Sequence, residues 1–506
     1  MLFNSYEFIL LFLPVSVAGF FVLAGASTRA AMGWLVAVSL VFYGWWNPAY
    51  LPLLIGIAAF NYIVGRALSR RPSRWLLGFG IAVDLCTLGY FKYAGFFVST
   101  ADSLTGADWA IGPIVLPLAI SFFTFQKIAF LVDSHRGLAR DVGPLEYALF
   151  VAFFPQLIAG PIVHYRDVVP QFRLPETFRP IAENFAVGIT IFAIGLFKKA
   201  VLADGIAVYA TPVFDAAEAG RSPDLLTAWS AALAYTFQLY FDFSGYSDMA
   251  IGAARLFGIR LPLNFNSPYK AANIIDFWRR WHMTLSRFLR DYLYVPLGGN
   301  RKGRARRYAN LLATMLLGGL WHGAGWTFVL WGVLHGAFLV VNHAWRRLAP
   351  AALTGARFYP VAAWLLTFLV VVAAWVPFRA LTLDGAGRIL AGMAGLNGVS
   401  LPTAIFVRLG PLRDGLEALG IEASASGGGA FVAVWLWIAA LFALARFAPN
   451  TQQIMGRYRP GLGFEAAGAV QLLWRPAARW AILTGALAAA GLLALNQVSE
   501  FLYFQF

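Results

Sequence analysis

Two histidines bracket the stretch of this sequence best suited to chemistry. His282 stands in Arg279-Arg280-Trp281-His282, and His322 in Trp321-His322-Gly323 at the end of the apolar run Leu311–Leu320. Imidazole takes up or delivers a proton near neutral pH, as acyl transfer to a hydroxyl requires. A titratable group inside an apolar run is costly in a membrane, so its default reading is functional. The plainer reading of His322 is a buried histidine that fixes helix packing through a carbonyl. Its place between Trp and Gly, with Gly318 and Gly319 just before it, favours a site that backbone or substrate approaches closely. For His282 a site role competes evenly with an interfacial amphipathic helix that holds Trp278, Arg279, Trp281 and Arg290 at headgroup depth. His335, thirteen residues beyond His322, reads as structural, and His135, His164 and His343 fall near loop ends.

Other polar groups interrupt apolar sequence. YFDFSGYSDMAIG (240–252) carries Asp242 and Asp248, which suggests a proton or ion pathway. The competing expectation is that each pairs with an Arg of segment 279–290 or caps a helix broken at Ser-Gly-Tyr-Ser, lining a pocket or holding structure. FPQLIAGPIVHYRD (154–167) holds two prolines and Gly160-Pro161, so a re-entrant elbow is expected in place of a continuous helix. Asn300-Arg301-Lys302-Gly303 could touch the phosphates of a cytoplasmic acyl donor, or simply orient the chain, and it is not a Walker motif. Neither HExxH nor GxSxG nor a cysteine pair occurs, which argues against a metalloprotease, an α/β-hydrolase and a metal site.

The elements that must position these residues are membrane helices. Of 506 residues, 60% are hydrophobic, 16% aromatic and 12% charged. Soluble domains carry about 25% charged residues. The expected fold is an all-α polytopic membrane protein forming one domain over 1–506, with about 11–12 spans. These fall near 8–25, 31–47, 50–66, 75–96, 113–131, 184–203, 225–245, 308–325, 327–343, 359–377, 429–447 and 479–497. Residues 146–163 and 261–296 mix apolar residues with Pro, Arg and His, as re-entrant or interfacial helices do. The N-terminus lacks a basic region before its apolar run and reads as a retained first span.

A net charge of +15 would suggest nucleic-acid binding in a soluble protein. Here the basic clusters alternate with apolar spans, as in cytoplasmic loops, and no nucleic-acid partner is expected. That rule places 66–74, 132–145, 301–307, 346–358 and 448–478 in the cytoplasm. Loops 97–112, 204–224 and 380–428 and both termini fall outside. The Gly-rich 380–428 reads as an exposed loop with one short helix. The single cysteine, Cys86, excludes an intramolecular disulfide and reads as a buried structural thiol.

FWRRWHMTLS, LRDYLY, LGGNRKG and GGLWHG resemble the core of the membrane-bound O-acyltransferase (MBOAT) family, in its bacterial alginate and exopolysaccharide O-acetyltransferase branch. LPLAISFFTFQ, FPQLIAGPIVHYRD, GLFKKAVLAD, YFDFSGYSDMAIG, NFNSPY and the terminal EFLYFQF are similar to segments of that branch, in order. The core motifs lie within 116–345. Ala119 and Phe123 stand where family members often have Gly and Tyr, small changes in a packing segment.

The resemblance implies a helical bundle around a central funnel, with His282 and His322 as catalytic residues. It further implies an acyl group, by analogy acetyl from acetyl-CoA, taken from a cytoplasmic thioester and passed across the bacterial inner membrane to an exported polysaccharide such as alginate. No cofactor is expected to stay bound. A periplasmic SGNH-type O-acyltransferase and the polysaccharide synthesis machinery are the expected partners, beside membrane lipid. Trp278, Trp281 and Trp321 are expected to line the channel, with Arg279, Asp242, Asp248 and Asn300 as further candidates. D-alanyl-transfer proteins share RWHMxLS and WHG, but LGGNRKG favours acetyl. Alternatives are D-alanyl transfer to a cell-envelope polymer, a transporter coupled through Asp242 and Asp248, and a structural scaffold.

Overall fold

The computed structural model describes residues 1–109, 111–424, 427–463 and 472–496. A helix lies at each of the twelve expected positions. The first four are α1 (Glu7–Ala24), α2 (Thr28–Gly44), α3 (Pro48–Arg70) and α4 (Arg74–Thr105). Then come α5 (Ile120–His135) and the short α6 (Pro144–Ala152). The long α7 (Ala182–Glu218) and α8 (Leu225–Leu256) follow. Two short helices, α9 (Ile274–Arg280) and α10 (Met283–Leu289), precede α11 (Gly303–His322) and α12 (Trp326–Leu348). The chain continues through α13 (Tyr359–Arg379), α14 (Leu383–Met393), α15 (Gly428–Phe447) and α16 (Ala478–Ala494). Among the described residues, seven helices are long and apolar enough to cross a membrane, and α2 and α16 are shorter apolar helices. α5 and α8 bury most of their polar residues within the bundle, and α11 buries Asn310, Thr314 and His322 while its arginines near the start stay at the surface.

α8 differs from its expected form. The break anticipated at Ser-Gly-Tyr-Ser is absent, and the helix runs unbroken for 32 residues. Its glycines serve a close contact instead. A Cβ on Gly245 would lie 2.7 Å from the carbonyl oxygen of Gly195, and one on Gly252 would lie 2.6 Å from that of Gly188. Two glycines seven residues apart on each of α7 and α8 thus meet in antiparallel register, the small-residue contact that membrane helices favour. α7 also runs through much of the expected loop 204–224 to Glu218. It does so past a π-helical turn at Lys198–Ala203, a rare wide turn that tends to sit at functional positions.

Other expectations change with the packing. The fifth span begins at Ile120 and not near 113, because Ala119 at φ 61° starts the helix there. α4 extends to Thr105, so most of loop 97–112 is helical up to that point. Segment 380–428 is better ordered than an exposed loop: α14 and a two-stranded parallel sheet, β1 (Val399–Pro402) with β2 (Ile421–Ser424), occupy it. Cys86 is exposed, a correction to the buried thiol. Asp84 claims the interior face of α4, where its carboxylate accepts from Asn61 Nδ2 at 2.7 Å. Cys86, two residues on, therefore points away. The EFLYFQF motif lies outside the described residues.

The broken stretches are as anticipated. After the short helix Phe154–Leu157 the chain runs extended and buried past Gly160-Pro161, and the backbone N–H of Ile162 donates to the Thr284 hydroxyl at 3.1 Å. Two apolar cores result. One joins α1 to α6 and takes in Trp321, Leu285 and Phe288, and the other gathers α8, α12, α13 and α15 with Trp281 and Trp331. Their seam is where His282 and His322 meet.

Candidate active site

α11 ends at His322, so its last carbonyls have no partner within the helix. Lys92 of α4 supplies one. Its ammonium donates to the Trp321 carbonyl at 2.5 Å, the His322 carbonyl at 3.1 Å and the Ser121 hydroxyl at 3.3 Å. Tyr93 donates to the Leu320 carbonyl at 2.7 Å. A cation at a helix C-terminus also faces the negative end of the helix dipole. Gly332 of α12 lets the two helices close up behind, since a Cβ there would lie 2.5 Å from the Met315 carbonyl. His322 is thereby held from two sides.

His282 sits on different geometry. The sequence pattern predicts a helix throughout its segment, but the chain breaks between α9 and α10, and His282 occupies the left-handed region at φ 42°, ψ 54°. That conformation costs a non-glycine residue on the order of 1–3 kcal/mol and clusters at functional sites. Asn264, from the NFNSPY segment, holds it there. Its Oδ1 accepts from the Thr284 hydroxyl at 2.9 Å and from the Thr284 backbone N–H at 3.4 Å. The backbone N–H can only donate, and the hydroxyl already accepts from the Ile162 N–H, so this atom is the amide oxygen. The same oxygen lies 2.9 Å from His282 Nδ1, so Nδ1 carries the proton and donates. Nε2 is then the lone-pair nitrogen, the form a general base needs.

The two imidazoles meet with ring centroids 6.3 Å apart. His322 also contacts Trp331 and Phe378, each at 5.2 Å, and His282 contacts Phe243 at 4.7 Å. Among the described residues, His282 Nε2 and His322 Nδ1 are buried without a hydrogen-bond partner. Both ring nitrogens of His335 and Nε1 of Trp278 and Trp331 are in the same position. Such atoms occur elsewhere in the protein too, but here they gather around the two imidazoles, where a bound substrate could supply the partners. A cavity of about 10 Å³, lined by Leu239, Phe243, Trp281, His322, Trp331, Trp375 and Phe378, opens onto His322. That is room for about one water.

The structure brings only some of the candidate residues to this cavity. Trp281 lines it, and Trp321 packs behind it on Phe125 at 5.1 Å, its indole N–H donating to the Ser121 carbonyl. Trp278 stands one layer away, against His335 at 5.2 Å. Arg279 is exposed, and Asn300 is exposed in the basic turn, where Tyr294 donates to it at 2.5 Å. Among the described residues, Asp242 and Asp248 pair with no arginine. Asp248 pairs with Lys198 and Asp242 with Lys199, both at 2.7 Å, across the glycine contact of α7 and α8. His335, read as structural, lies 4.7 Å from Trp331, which bridges it to His322.

Sequence reasoning missed Asn264 and Lys92. Lys92 carried a signal, since a lysine in an apolar span is a functional candidate by default. Asn264 carried none of its own, because its role rests on a contact eighteen residues away. An Asn264→Ala variant is expected to lose roughly 10- to 100-fold in transfer rate at matched membrane abundance, because the His282 tautomer is no longer fixed. A rate within about twofold of wild type would remove Asn264 from the mechanism.

Comparison with known proteins gives a consistent picture. Residues 118–380 match the family described as "MBOAT, membrane-bound O-acyltransferase family". The peptidoglycan O-acetyltransferase of Helicobacter pylori is 46% identical over 79% of this chain and 81% of its own. A protein named "Probable alginate O-acetylase" from Azotobacter vinelandii is 44% identical over 78% of each chain. The teichoic acid D-alanyltransferase of Bacillus subtilis is 31% identical over 44% of this chain and 58% of its own.

Proposed function

Because the chain belongs to the membrane-bound O-acyltransferase family, and is thus a multi-pass membrane acyltransferase, we propose that it carries acetyl groups across the bacterial inner membrane for O-acetylation of an exported polysaccharide or of peptidoglycan. The observation that carries the site is the pair of buried imidazoles at the seam of the two cores, each with an unpartnered nitrogen. The donor is a cytoplasmic acyl thioester, with acetyl-CoA as the simplest candidate. His282 Nε2, or His322 through its own free nitrogen, takes the proton of the acceptor hydroxyl. The C–O bond forms at the thioester carbonyl, the C–S bond breaks, and the proton passes to the departing thiolate. An acyl group needs more room than the cavity gives, so the aromatic wall of Trp281, Trp331 and Phe378 must part to admit it.

Acetyl is favoured over D-alanyl because the O-acetylating relatives match over far more of the chain than the D-alanyltransferase does. The sequence carries no hydrolase-type Ser-His-Asp motif, so a periplasmic SGNH-type acyltransferase is the proposed acceptor of the group. The test is ester-linked acetate on the host's exported polymers. Deleting the chain is expected to remove it from one polymer. Unchanged acetate on polysaccharide and peptidoglycan alike would overturn the acetyl assignment.

A further inference from the structure

A second concave site lies away from the histidines. It encloses about 350 Å³, within the range of small-ligand sites. Tyr62, Arg66, Ser69 and Arg70 of α3 line one wall, and Phe130 of α5 with Arg140, Asp141 and Val142 line the other. The Ser69 hydroxyl donates to the Ala139 carbonyl at 2.8 Å, and the Tyr62 hydroxyl to the Val142 carbonyl at 3.1 Å. The 137–143 turn is thereby pinned against α3, and the pocket is a built feature. Along α5, Phe130 stands nine residues from Ser121, which touches Trp321. That is roughly 14 Å at 1.5 Å per residue.

Charge is the chief feature of this pocket. Arg66, Arg70 and Arg140 face one carboxylate, Asp141, and none of the three is ion-paired among the described residues. Glu146 nearby is committed to Arg173 at 2.8 Å. Guanidinium forks that lack a carboxylate partner match the oxygens of a phosphate.

The surface leading to the pocket says which phosphate. Ile55, Ala59, Ile63, Arg66 and Arg70 follow one another at spacings of four, four, three and four, so they form one stripe along α3. Ile55 is 50% and Ile63 67% exposed, on the outside of the bundle. The stripe is apolar for two turns and then ends in two arginines. A phospholipid has the same order, an acyl chain and then a phosphate. We propose that this pocket binds the headgroup phosphate of an anionic phospholipid, with an acyl chain lying along α3. Basic pockets between membrane helices on the cytoplasmic side take such headgroups.

The phosphates of a nucleotide thioester share this chemistry, and the test separates the two. Purified full-length protein in mild detergent is titrated with phosphatidylglycerol or phosphatidylcholine, and bound lipid is counted by native mass spectrometry. Arg66→Gln/Arg70→Gln is compared with Arg71→Gln/Arg74→Gln, which removes the same charge from the same stretch but outside the pocket. Wild type is expected to prefer phosphatidylglycerol by about tenfold or more. The pocket pair loses that preference and the control pair keeps it within about twofold, with both melting as wild type does. Equal loss in both pairs would overturn the site in favour of diffuse charge. Displacement of phosphatidylglycerol by coenzyme A would overturn the lipid assignment and give the pocket to the donor. Neither outcome bears on His282 and His322.

Discussion

His322→Ala keeps the protein folded in the membrane and lowers acyl transfer by about 10²- to 10⁴-fold, the span a general acid–base group contributes. The expectation rests on placement. His322 ends α11 at the cavity, its backbone is clamped by Lys92, and its ring carries a buried nitrogen with no partner. His322→Gln fills most of the same space and separates lost chemistry from lost packing. It should be as inactive as the alanine variant. The readout is ester-linked acetate on exported polymer, at equal membrane abundance. Wild-type acetate from either variant would move the chemistry elsewhere and revive a transporter or a scaffold.

Loss of Asp242 or Asp248 would disable a transporter coupled through them, but it does not discriminate. Both carboxylates are counterions to lysines, and their loss unsettles the fold under any function. Lys199 shows the scale. It is fully buried and lies 2.7 Å from both Asp204 and Asp242, which are themselves buried. Lys199→Met leaves two carboxylates without their cation and is expected to cost about 3–5 kcal/mol. Denaturation in detergent measures that cost, and the triple change Lys199→Met/Asp204→Asn/Asp242→Asn supplies its reference. Replacing a buried ion cluster wholesale by neutral groups is often close to neutral. The triple variant should therefore regain most of what the single change loses. Equal instability in the two would mean that packing, and not charge, holds this contact.

Much of this architecture was legible in the sequence. Apolar runs located a helix at each expected position, and seven of the described helices have the length and apolarity that a bilayer demands. Prolines and Gly160-Pro161 announced the extended stretch after Phe154–Leu157, since proline breaks a helix by local sterics. What failed were readings that depended on a neighbour. Ser-Gly-Tyr-Ser looks like a break until α7 is packed on it, when Gly245 becomes the residue that admits the Gly195 carbonyl. Cys86 looks buried until Asp84 takes the inner face of its helix. The lysine partners of Asp242 and Asp248 lie on α7, far in sequence from the arginines of 279–290, and nothing local to either carboxylate says so. At the site, the histidines were visible by type and setting. Their supports, Asn264 and Lys92, were chosen by the fold.

Lys92 has a consequence for how this enzyme can be divided. The clamp on the carbonyl end of α11 comes from α4, upstream of residues 118–380 that define the family match. A chimaera that transplants the matched stretch onto another N-terminal portion would inherit both imidazoles and depend on the recipient for the anchor beneath one of them. The natural unit of exchange between relatives is then larger than the shared motif. Modular grafting must carry the turn around Lys92 and Tyr93 along with the histidines, or rebuild its two donors from the recipient.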